Sequence, residues 1–95
     1  EKTQFIKLTT VDAQNLMNSA KSESVKSACK KVYEALRYSD PMSNEALSGI
    51  ESQITLKFDS FSQAVYDDDY ELAEANADEL LNLINNRNAK CKALK

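Results

Sequence analysis

The chain has 95 residues, with one glycine, one proline, two cysteines, neither histidine nor tryptophan, and a net charge of −3. Without histidine there is no imidazole base, no Ser/His or Cys/His nucleophile pair and no usual catalytic zinc set. A lone Gly49 leaves no phosphate-cradling loop and no glycine-bearing hairpin turn, so a β-rich fold is excluded and a helical one remains.

Hydrophobic periodicity near 100° per residue places the elements. Residues 1–8 are assigned to no element, although Phe5, Ile6 and Leu8 are apolar enough to pack somewhere. Ala13, Leu16, Met17 and Ala20 form one stripe; Val25, Cys29, Val32 and Leu36 form another, with Tyr33 at its margin. On one continuous helix those stripes would face opposite sides, so a break is predicted at Lys21-Ser22-Glu23-Ser24, capped by Ser22 or Ser24. This gives a short helix over about 9–20 and a longer one over about 24–38.

Pro41 ends the second helix, and either Asp40 or Ser43 caps the next, Ser43 with Met42 stapled against Leu47. Leu47, Ile50, Ile54, Phe58, Phe61 and Val65 then step by three and four within roughly an 80° arc, a helix over about 43–66. Gly49, inside it, is expected where another helix comes close. Asp67, Asp68 and Asp69 mark the next boundary, since acids favour helix N-termini. Tyr70, Ala73, Ala77, Leu80, Leu81, Ile84 and Cys91 share a face of a final helix over about 69–93. The expected fold is all-α: a single domain over residues 1–95, an up-and-down antiparallel bundle of three long helices and a short N-terminal one. Because the sequence starts at Glu1, it reads as an excised, trimmed or processed piece of a longer chain.

Charge is unevenly spread. Residues 1–37 are net basic, residues 58–86 hold eight acids and no base, and Arg87, Lys90, Lys92 and Lys95 follow as a basic tail of solvated caps. Such a chain presents no general basic face for nucleic acid, and no apolar run approaches the ~18 residues of a membrane span. The aspartate run lacks the glycine and final glutamate of a calcium loop, so no metal and no cofactor is assigned. A histidine phosphotransfer bundle is excluded for want of its histidine.

The leading functional expectation is a non-catalytic module for protein–protein interaction or self-association. Its candidate interface is Leu56, Leu72 and Leu83 with the acids Asp67, Asp68, Asp69 and Glu71. Leu56 faces away from its helix's core stripe, ready to meet a partner chain or the Phe5-Ile6 segment. The alternative is an exported carrier enclosing an apolar ligand, walled by Ile54, Phe58, Phe61, Ile84, Tyr33 and Tyr70. Helix heights set Cys29 and Cys91 about 10 Å apart along the bundle axis, so both are expected as reduced thiols, which points to the cytoplasm.

Overall fold

The computed structural model describes residues 2–95. Four helices pack on one another: α1 (Gln4–Ser19), α2 (Glu23–Arg37), α3 (Ser48–Tyr66) and α4 (Tyr70–Ala93). They run alternately up and down and enclose one core, as a helical bundle should. α1 packs on α2, α2 on α4 and α4 on α3, while α3 touches α1 only lightly. The chain is therefore two antiparallel hairpins, α1–α2 and α3–α4, laid side by side. A crossover loop, residues 38–47, passes over one end of the bundle to join them.

The first helix is neither short nor late. It begins at Gln4 and its 16 residues exceed the 15 of α2. Ile6 lies seven residues before Ala13, so continuing the helix towards the N-terminus brings Ile6 into phase and buries it to 4 % exposure. The Thr9 and Thr10 hydroxyls donate back to the Phe5 and Ile6 carbonyls, which lets two β-branched residues sit inside the helix. Leu8 and Val11, out of phase and exposed, blur this periodicity in the sequence.

The break before α2 falls where the opposed stripes demand it. Ala20 is extended, and the Ser22 hydroxyl accepts from the Val25 N–H as N-cap. In the crossover, the Asp40 carboxylate accepts from the Met42 N–H, closing a local turn. Neither expected cap starts α3. The Ser43 hydroxyl donates instead to Glu51, and Asn44 caps a 3₁₀ turn at Glu45–Leu47 that runs into α3 at Ser48, five residues past the expected start. At the far end Asp67 closes α3, Asp68 turns the chain with φ +52°, and Asp69 caps α4 by accepting from the Leu72 N–H.

Val25, Val32, Leu36, Ile54, Phe61, Leu80 and Ile84 form the centre of the core, each at 1 % exposure or less. Burying one such side chain contributes about 1.5–3 kcal/mol. Gly49 does not mediate a close approach: it is exposed, and a Cβ added there would meet nothing within 4 Å. Its place on α3 faces a surface groove against α4, not a neighbour's backbone. Gly49→Ala is therefore expected to stabilise the protein by about 0.5 kcal/mol, read as a rise in midpoint denaturant concentration at unchanged slope. A loss of stability would mean that something does press on this position.

Candidate functional site

The candidate interface residues do not form one patch. Leu56 points outward from α3 at 70 % exposure, whereas Ile6 is buried in the core. Leu72 and Leu83 lie eleven residues apart, hence on one side of α4, with Leu72 half exposed and Leu83 partly buried against the core. The three aspartates are divided among the tasks of the turn. Asp67 accepts from the Gln63 amide, Asp68 accepts from the Ser22 hydroxyl at 2.9 Å, and Asp69 is occupied as N-cap. Glu71, at the start of α4, faces solvent. Together with the Lys21 ammonium, which donates to the Tyr66 carbonyl, the Ser22–Asp68 bond ties the two hairpin turns together.

The proposed pocket residues are likewise dispersed. Ile54, Phe61 and Ile84 are packed into the core, and Phe58 is half-buried with its ring centroid 6.1 Å from that of Phe61. The Ser22–Asp68 bond fixes the levels of the parallel helices α2 and α4. Tyr33 then stands about nine residues, or ~13 Å, further along the bundle than Tyr70. Tyr70 is exposed and donates to Glu74, a bond that raises its phenol above the ordinary value. Phe58 helps line an open groove of about 350 Å³ between α1 and α3, with Leu16 and Tyr66 and the rim acids Asp12 and Asp59.

The largest departure from the sequence reading is Arg87. It belongs to no solvated tail: it is fully buried, with 0 % exposure. Its Nε donates to Glu51 at 3.1 Å, Nη1 to the Asp40 carbonyl at 2.6 Å and to the Asn88 amide oxygen at 3.2 Å, and Nη2 to the Met42 carbonyl at 2.7 Å. The second Glu51 oxygen accepts from the Ser43 hydroxyl at 2.7 Å, and the Asn88 amide donates to Ser39 at 2.9 Å. A planar guanidinium with five fixed donors suits this task, gripping two backbone carbonyls and a carboxylate at once. The cluster pins the crossover loop to α3 and α4. Lys95 adds an exposed ion pair to Asp40, which holds that carboxyl below its usual range.

One signal for Arg87 was present in the sequence. Ala73, Ala77, Leu80, Ile84, Arg87 and Cys91 advance by four and three alternately, so the arginine occupies a core position of its helix. Every buried side-chain nitrogen and oxygen among the described residues has a partner. The cluster is thus a closed electrostatic unit whose charged groups are spent on one another.

Cys29 and Cys91 are both buried and free. Burial pushes the Cys29 thiol from 9.0 up to about 11, so it is held protonated and is a poor nucleophile at neutral pH. The sign for stability follows from linkage. An unfolded chain loses this proton before the folded one does, so stability should fall as pH rises from about 9 to about 11. Tyr70 and Lys95, both raised, act in the same direction. Urea unfolding between pH 8 and about 11 is expected to show the decline, with a shallower slope in Cys29→Ala. Equal slopes for the two proteins would remove Cys29 as a cause.

Comparison with protein-family models, curated proteins and solved structures gives no match to this chain. Among the described residues, no helix is long and apolar enough to cross a membrane, and no three acidic or cysteine side chains converge in a way that could hold a metal ion.

Proposed function

We propose that this chain is a non-catalytic helical-bundle module for protein–protein interaction or oligomerisation. The observation that carries the reading is the placement of large aliphatic side chains outside the core. Leu8 at 61 %, Leu56 at 70 % and Leu72 at 50 % exposure occupy three different helices, with the charged residues Lys7, Lys57 and Glu71 beside them in the chain. Exposed leucines scattered singly are ordinary; in this reading the three serve as separate apolar anchors for partner surfaces. The chemistry available points the same way. The chain has no histidine, its buried guanidinium and carboxylate neutralise each other, and its Cys29 thiol is held in the unreactive form.

Acid-rich segments associate with basic surfaces, and they do so in a salt-dependent way. The test is the mass in solution together with partner capture at low salt and at ~0.5 M salt. Self-association or capture that weakens with salt is the expected result. A strict monomer that captures nothing under either condition would sink the proposal.

A further inference from the structure

The outer groove of the α1–α2 hairpin differs from the rest of the surface. Lys26, Lys30 and Arg37 recur along α2 at helical spacing and share one side, with Tyr33 between them; Lys7 adds a fourth cation from α1. Two cavities open along this line. One, of about 390 Å³, is bounded by Ile6, Lys7, Val11, Arg37 and Pro41 near the crossover. The other, of about 300 Å³, is bounded by Met17, Lys26 and Lys30 near the hairpin turn. None of the four cations enters an ion pair with any described residue, and Glu23 is the one acid lining either cavity. From Lys26 to Arg37 the groove runs about 16 Å.

The complementary surface lies on the same chain. Glu71, Glu74 and Asp78 step by three and four along the outside of α4, a ridge about 10 Å long with exposed Tyr70 and half-buried Leu81 at its flank. Dimensions select how two copies would meet. The bundle measures 40 × 19 × 17 Å, so a long side is the face large enough to approach the ~800 Å² per partner that stable interfaces bury. An end offers less than half of that.

We propose that the α1–α2 groove docks the acidic α4 ridge of a second copy of this chain. Lys26, Lys30 and Arg37 meet Glu71, Glu74 and Asp78 of that copy, and the copy's Tyr70 and Leu81 cover the apolar floor around Met17 and Val11. The site rests on the oligomerisation reading above and gives it an address. Groove and ridge are different surfaces, so the contact is heterologous: each added copy presents a fresh ridge or groove until a ring closes.

The test is sedimentation equilibrium on the folded chain. At low salt the average mass should exceed 10.6 kDa and rise with concentration, and at ~0.5 M salt it should return to that of a monomer. The groove variant K26E/K30E and the ridge variant E74Q/D78N, each checked for unchanged helicity, should each weaken association by about 100-fold. Mixed together they should stop at a 1:1 pair, because only the ridge of the first and the groove of the second remain competent. Wild-type association that both variants leave intact would overturn the groove while leaving the oligomerisation reading standing. A wild-type monomer overturns self-docking outright. If that monomer retards a labelled DNA duplex, and K26E/K30E does not, the groove belongs to nucleic acid instead.

Discussion

Arg87→Ala is expected to cost about 3–5 kcal/mol of folding stability, because it leaves the Glu51 carboxylate buried without its counter-charge. The Asp40 and Met42 carbonyls lose their donors in the same change. For a chain of this size the loss corresponds to a fall in Tm of roughly 15–30 °C, measurable by calorimetry. Arg87→Lys keeps the charge but not the fork. One ammonium cannot reach Glu51 and both carbonyls in the geometry the guanidinium adopts, so about 2 kcal/mol should still be lost. The decisive comparison is the double change Arg87→Met with Glu51→Leu. Removing both charges together removes the unpaired carboxylate but not the loss of donors to the Asp40 and Met42 carbonyls, so the double variant should recover about 1–2 kcal/mol of the Arg87→Ala loss and stay below the parent. An Arg87→Ala protein within about 1 kcal/mol of the parent would show that the crossover loop holds its place without this cluster.

Phe61→Ala is expected to be comparably severe, at about 3–5 kcal/mol, because Phe61 is at 0 % exposure in the core and packs its ring against Phe58. Leu56, five residues earlier on the same helix, provides the control. At 70 % exposure it touches little, so Leu56→Ala should change stability by no more than about 0.5 kcal/mol in either direction. Chemical denaturation of the two variants thus reads the register of α3 directly. Equal losses at the two positions would mean that the helix is rotated from the orientation described. Leu56→Ala also bears on function, since a side chain that is silent in folding yet needed for association is an interface residue.

These two residues show what the sequence could and could not reveal. The α3 stripe was legible because six apolar side chains repeat at helical spacing with few exceptions, which fixed Phe61 inside and Leu56 outside. Gly49 is ambiguous in the sequence because glycine is compatible both with a crowded contact and with none, and only the neighbours decide. The start of α1 was hidden by Leu8 and Val11, apolar residues on the outer face that dilute the periodicity carried by Ile6, Ala13 and Leu16. Arg87 resembles Lys90, Lys92 and Lys95 in the sequence because a run of charge is usually a solvated face. Its helical phase said otherwise, but the partner that makes burial tolerable, Glu51, is 36 residues away. No local pattern announces which acid an arginine will meet. Of the interface candidates, Leu56, Leu72 and Glu71 are exposed and Leu83 is partly buried against the core. The turn uses all three aspartates, Asp67 at the end of α3, Asp68 against Ser22 and Asp69 as the cap of α4, and Glu71, Glu74 and Asp78 follow on the outer side of α4.

The crossover loop has a kinetic consequence. Each hairpin closes over a turn of a few residues, so its helices find each other at little entropic cost. The Arg87 cluster is different in kind: it needs the end of α2, the loop, the first turns of α3 and the last turns of α4 assembled together. It is therefore a latch that shuts only after the two halves have docked. Interactions made after the transition state slow the escape from the native state more than they hasten arrival there. Arg87 thus sets chiefly how long the folded bundle lasts, and its removal should shorten the native lifetime while leaving the rate of folding nearly untouched.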